Sequence, residues 1–282
     1  MPRMDDCLDS FGDAMVFSTH HWNTGSRQIP VAAEDRDKTT FTSHMGLFGF
    51  LGLPFGLVNA PASCQRALDI ILSGLRWQTC LVYLNDLIVF SWTVDDHIRH
   101  LREVLLLLGN AGVSLKPSKW HLFQEEVEYL GHVVRPGQLL MNQKNMKSLA
   151  QALPSRNQTE LKSFLGMYNV YRRFSKDYAH IAKPLTKLTS RNIPHVLAPL
   201  DAAQLAAFEY LKEHLTSTPI LALPRREHLF ILDTDACAVQ VGRTLLQQQP
   251  DKSILPFGYY SRDVIPAEQY YFTTDRECLA VV

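Results

Sequence analysis

The sequence carries no excess charge: 28 Lys and Arg residues balance 28 Asp and Glu residues. Bulk electrostatic attraction to nucleic acid or to an anionic membrane is therefore excluded, and any such partner must meet a local basic patch. Cysteine is scarce. The five residues, Cys7, Cys64, Cys80, Cys237 and Cys278, are scattered and form no C-x-x-C pair. This excludes a disulfide framework and favours reduced, buried thiols. Long apolar runs are missing too: none approaches the ~18 residues of a membrane span, and the opening MPRMDDCLDS lacks the basic-then-apolar order of a signal peptide. There is no internal repeat and no low-complexity tract. These absences lead to the expectation of a soluble intracellular protein, cytoplasmic or nuclear, with no membrane partner.

What is present is ordinary globular composition, 46% apolar and 20% charged over 282 residues, enough for two domains with sizeable cores. A short amphipathic element, Met4 to Phe11, precedes a β-like run MVFSTHHW. In NAPASCQRALDIILSGL, Asn59 can cap a helix with Pro61 in its first turn and Ala67, Ile70, Ile71 and Leu75 on one face. The segment DDHIRHLREVLLLLGNAG predicts a helix capped by Asp95 or Asp96, with Ile98, Leu101, Leu105 and Leu108 inward. EVEYLGHVV and QLLM read as strands around a Pro136-Gly137 turn. Asn157 and Glu160 make a capping box before a helical stripe of Leu161, Phe164, Leu165, Tyr168 and Tyr171. After a further helix capped by Asp201, three strands (LFILDTDA, QVGRTLLQQ, LPFGYYSR) lead into a helix at TTDRECLAVV. This order suggests two α+β units with a boundary near residues 219–226.

Residues 81–90, LVYLNDLIVF, place a polar pair between two apolar runs. Apolar β-formers around Asn85-Asp86 predict a hairpin with that pair at its turn. Taken alone, an Asn-Asp turn is ordinary structure.

The blocks KTTFT (38–42), LPFGLVNAPASCQ (53–65), YLNDLIVFS (83–91), LKPSKWHLFQEEVEYLGHVV (115–134), ELKSFLGMYNVYRRF (160–174), FILDTDA (230–236) and YSRDVIPAEQYYFTTDRECLAVV (260–282) run in one order across the chain. Together they resemble the Pol polyprotein of gypsy-type LTR retrotransposons. The resemblance implies an α+β architecture: a reverse transcriptase palm, an antiparallel sheet with helices, at 1–140 with most of the fingers missing; a helical thumb and connector at 141–220; and the N-terminal part of an RNase H-like α/β domain at 221–282.

It also implies chemistry. Nucleotide addition in this family resembles a two-metal reaction with Mg²⁺ or Mn²⁺ held by aspartates. The Y-x-D-D box falls on Tyr83, Leu84, Asn85 and Asp86, so the first paired carboxylate is here a neutral amide. A further aspartate position falls on His21 of FSTHHWNTGSRQI, and an aromatic that packs on the nucleotide sugar is replaced by Ser26. Phe55, Gly56 and Gln65 match positions bordering nucleotide and template, and Lys38 matches a fingers residue. In the RNase H-like part, Asp235 matches the first carboxylate and Glu277 the second, while Ala238 to Gln240 depart from the family pattern. The expected metal ligands are thus Asp86, Asp235 and Glu277.

Two functions follow. The first is a retrotransposon-derived chain without polymerase activity that binds an RNA/DNA hybrid or template–primer, using basic residues interleaved with aromatics: Lys116, Lys119, Lys162, Arg172, Arg173, Lys176, Lys183, Lys187 and Arg191. The substitutions weigh against a deoxynucleoside triphosphate as ligand. The second is an active RNA-directed DNA polymerase and hybrid-cleaving ribonuclease.

Overall fold

A computed structural model describes residues 2–22, 25–216, 220–225, 227–249 and 252–282. The chain divides into two compact units, one running to Tyr129 with Arg135–Gly137 added, the other made of Leu130–Val134 and the chain from Gln138 onward. The division falls around Tyr129 to Gln138 and not at the expected 219–226, of which Pro219 and Arg226 lie outside the described residues.

In the first unit, helix α1 (Met4–Asp9) leads to strand β1 (Val16–His21), followed by a small hairpin of β2 (Phe41–Ser43) and β3 (Gly46–Phe48). Helix α2 (Ala60–Ile71), strands β4 (Cys80–Tyr83) and β5 (Asp86–Ser91), helix α3 (Val94–Asn110), β6 (Trp120–Gln124) and β7 (Val127–Tyr129) complete it. The principal sheet has the order β4-β5-β1-β6, with β1 antiparallel to both neighbours. Both faces of β4 and β5 are covered, which is why their sequences read as continuous apolar runs instead of an alternation. On one face Val82, Leu87 and Val89 pack with Leu68 and Leu72 at helix α2 and Val104 of α3. On the other, Phe11 meets Phe17, Phe90 and Tyr129 edge to face at 5.2–5.8 Å.

Both helices are rotated from the sequence expectation. In α2 the buried side is Ala60, Cys64, Gln65 and Leu68, and Ile70 is exposed. In α3 it is His97, Leu101, Val104 and Leu108, with Ile98 and Leu105 exposed. The reason is the same in each: a polar residue, Gln65 or His97, finds enough buried hydrogen-bond partners to displace a more apolar neighbour. The α3 cap is Thr93, whose Oγ1 accepts from the Asp96 N–H at 3.1 Å.

Strand β8 (His132–Arg135), all but its last residue in the second unit, is separated from β7 at Leu130 and Gly131, both at positive φ, so EVEYLGHVV forms two strands instead of the expected one. Strand β9 (Gln138–Met141) follows, then helix α4 (Gln143–Ala150), which no sequence signal marks. Helices α5 (Gln158–Asn169), α6 (Tyr178–Lys187) and α7 (Ala202–Thr216) follow, then β10 (Leu221–Ala222), which pairs with β9. Half of the expected capping box forms: Asn157 accepts from the Glu160 N–H at 2.9 Å, while Glu160 reaches one residue further back and accepts from the Arg156 N–H at 2.8 Å. Leu161, Phe164, Leu165 and Tyr168 are buried, and Phe164 packs on Phe208 of α7. The helical stripe breaks after Asn169, and Tyr171 instead donates its hydroxyl to the Gly131 carbonyl.

Strands β11 (Phe230–Ala236), β12 (Gln240–Gln248) and β13 (Ile254–Asp263) form an antiparallel meander with β12 central. Helix α8 (Thr273–Val281) lies on it through Ala280, packed with Val241 and Val264. Cys7, Cys64 and Cys80 are buried as expected, whereas Cys237 and Cys278 are exposed because they sit just past β11 and on the outer side of α8.

Candidate active site

The turn of the β4–β5 hairpin is one residue earlier than the sequence suggests. Tyr83 pairs with Asp86, so Leu84 and Asn85 form the two-residue loop, and Leu84 takes a left-handed φ of +54°. A branched residue pays for that conformation with about 1 kcal/mol. Asp86 therefore belongs to β5, and the β1–β5 register places His21 directly across from it. The two side chains meet: His21 Nδ1 lies 2.6 Å from Asp86 Oδ1. A carboxylate only accepts, so Nδ1 carries the proton and the bond is charge-assisted.

The apex is held from both sides. The Trp22 N–H donates to the Asn85 carbonyl at 2.7 Å, extending the ladder past His21. The buried Gln65 of α2 accepts from the Leu84 N–H at 2.7 Å and donates to the Val82 carbonyl at 2.9 Å and to Asp69 at 2.8 Å. Its amide thus fixes the strained loop residue, a task the sequence comparison of motifs did not reveal. Gly25 is required where it stands, since a Cβ there would fall 2.1 Å from the Trp22 ring.

Toward the other end of the β1–β5 ladder lies a polar cluster that sequence reasoning missed. Ser18 of β1 and Ser91 of β5 bracket the His97 ring, at 2.7 Å from Nε2 and 2.9 Å from Nδ1, and Ser91 also meets His100 Nδ1 at 2.7 Å. Burial, and then the neighbouring His100, push the His97 imidazole down to about 4. The i, i+3 spacing in HIRH was the available signal. His20, stacked on Trp120 at 4.9 Å, is likewise lowered, first by burial and then by His21.

The remaining expected residues are dispersed. Lys38 is bonded to Asp35 at 2.6 Å, which raises its ammonium above the ordinary value. Phe55 is exposed beneath the Arg27 guanidinium, 5.0 Å from its ring centroid, and Gly56 takes a φ of +93°. Neither bonds to the hairpin apex among the described residues. In the second unit, Asp235 on β11 pairs with Gly242 in register, and Glu277 is in the middle of α8. Both carboxylates are exposed and have no hydrogen-bond or ion-pair partner among the described residues. Of the basic residues, Arg173 is buried and donates to the Phe257 carbonyl at 3.0 Å, and Lys183 pairs with Asp263, so neither belongs to an open patch.

The donor set at the hairpin apex does not fit magnesium. Asn85 is neutral, His21 is an imidazole, and the single carboxylate is already bonded to that imidazole. Among the described residues no three His, Cys, Asp or Glu side chains gather as a metal site. Asp235 and Glu277, by contrast, are hard oxygen donors of the right kind.

Residues 16–134 match the model of the reverse transcriptase (RNA-dependent DNA polymerase) family, and residues 200–282 match that of the RNase H-like domain found in reverse transcriptase. The whole chain aligns at 37% identity with the retrovirus-related Pol polyprotein from transposon opus of Drosophila melanogaster, and at 35% with that from transposon gypsy of the same organism. It spans 29% and 28% of their lengths. In fold it is similar to a foamy viral protease-reverse transcriptase in complex with double-stranded DNA, at a TM-score of 0.85 and 20% identity, covering 100% of this chain and 49% of the other. The same viral protein in complex with an RNA/DNA hybrid gives 0.82 at 20% identity, covering 99% of this chain and 37% of the other. With the blocks, the sheet and both domain matches in agreement, the chain belongs to the retrovirus-related Pol polyproteins of gypsy-type transposons, with a reverse transcriptase domain followed by an RNase H-like domain.

Proposed function

We propose that this chain is a transposon Pol region whose polymerase centre is silent and whose remaining activity is binding of an RNA/DNA hybrid or template–primer. The reading divides it into a palm-like part at 1–140, a thumb and connector at 141–220 and an RNase H-like part at 221–282. The observation that carries it is the hairpin apex, where one carboxylate stands in place of a set and is bonded to His21. Without clustered negative charge, a divalent ion has little hold there and no nucleotide triphosphate is drawn in with it. Phe55, Gly56 and Lys38 then serve as contacts for a duplex, with Gln65 supporting the apex from within. Five free thiols suit a reducing compartment, cytoplasm or nucleus.

Primer extension on an RNA template, with Mg²⁺ or Mn²⁺, tests this reading. The unaltered chain and its His21→Asp/Asn85→Asp variant would each be joined to the flanking Pol segments of a relative. Extension by the variant alone is expected; extension by the unaltered residues would overturn the silent-palm reading.

A hydrolytic reading, hybrid-cleaving ribonuclease within a longer Pol chain, is favoured by the second unit. Asp235 and Glu277 are exposed, without a hydrogen-bond or ion-pair partner among the described residues, and would hold a magnesium or manganese ion. Such an ion supplies, when bound, activation of water for attack on a phosphodiester.

A further inference from the structure

We infer that His21 is an internal plug on the hairpin apex: its imidazole occupies Asp86 in place of a divalent cation, so the apex takes up neither Mg²⁺ nor Mn²⁺ even when a second carboxylate is supplied beside it. This rests on the silent-palm reading and deepens it, because a metal site can be lost in two ways. One is shortage of charge, which Asn85 represents. The other is occupation of the ligand that remains, which His21 represents.

The geometry favours occupation. His21 Nδ1 is 2.6 Å from Asp86 Oδ1, and the two residues are register partners on adjacent strands. The backbone that presents the pair is fixed: the next rung, Trp22 N–H to the Asn85 carbonyl at 2.7 Å, holds the β1 side, and Gln65 holds the hairpin at Val82 and Leu84. An incoming ion would have to break a charge-assisted bond and leave an imidazole facing it. The side chains of His21 and Asp86 are 52% and 43% exposed, so access is not what keeps an ion out. A borderline ion that accepts imidazole fares no better, because no third His, Cys, Asp or Glu joins the pair among the described residues.

The test is a titration of the 282-residue chain with Mn²⁺ alone, following free ion by electron paramagnetic resonance. Asp86→Asn serves as the blank, because it reports ions held elsewhere, Asp235 and Glu277 included. Asn85→Asp restores the paired carboxylate at an exposed loop position and leaves the His21–Asp86 bond intact. The unaltered chain and Asn85→Asp are expected to match the blank. His21→Asp/Asn85→Asp is expected to gain a further ion at least about tenfold tighter than any bound by Asn85→Asp, lost again when Asp86→Asn is added. Where aspartate perturbs β1, His21→Ala/Asn85→Asp removes the imidazole alone and is expected to gain the same ion.

An Asp86-dependent ion in Asn85→Asp would overturn the plug while leaving the silent-palm reading in place. No gained ion in either variant lacking the imidazole would overturn it as well. An Asp86-dependent ion in the unaltered chain would overturn both.

Discussion

Gln65 joins helix α2 to the hairpin loop through the Leu84 N–H and the Val82 carbonyl, and both backbone groups would be left without that partner in Gln65→Leu. We expect a loss of about 1–3 kcal/mol in urea unfolding, together with faster amide exchange at Leu84 than at β5. His97 gives a pH signature. Its imidazole sits near 4 in the folded chain, pushed there by burial and by His100, while an unfolded histidine titrates near ~6.5. The unfolded state therefore binds more protons between those values. Stability is complete above about pH 6.5 and declines as the pH falls toward about 4, by on the order of 2–3 kcal/mol. Urea midpoints at pH 7 and pH 4.5 check this: the unaltered chain should lose more than His97→Asn, in which that titration is gone.

At the level of elements, α3 depends on the Thr93 cap, which also donates to Asp96 Oδ2 at 2.8 Å. Thr93→Ala is expected to lower stability by about 1 kcal/mol, measurable as a shift in Tm. The same helix shows what the sequence could and could not tell. Its length, the β4–β5 hairpin, the three-stranded meander and the Asn157 cap were legible because they follow from period and capping chemistry, whereas EVEYLGHVV, which alternates like one strand, is two. Its buried face was not, since periodicity ranks Ile98 above His97 and cannot see Ser18 and Ser91 waiting across the sheet. The hairpin was legible, but Asn85-Asp86 looked the better turn than Leu84-Asn85; Gln65, distant in sequence, holds the loop one residue earlier. The substituted positions at His21 and Asn85 were readable from the motif blocks. The contact between His21 and Asp86 needed the β1–β5 register, which is a tertiary fact.

For the molecule as a whole, zero net charge means that hybrid binding must come from local cations. Lys176, Lys187 and Arg191 are exposed, whereas Arg173 is buried. Affinity for an RNA/DNA hybrid should fall linearly with salt on a log–log scale, and Lys176→Ala/Lys187→Ala should flatten that slope by about two, as expected for two lost phosphate contacts. Fluorescence anisotropy at several salt concentrations measures it; an unchanged slope would place the nucleic acid elsewhere. The distribution of cysteines makes such work practical. Three thiols are sealed inside the first unit and both accessible ones, Cys237 and Cys278, belong to the RNase H-like part. A maleimide dye added to the native chain will therefore mark that part alone, with no engineering, and report on its local unfolding separately from the palm's intrinsic tryptophans Trp22, Trp77, Trp92 and Trp120.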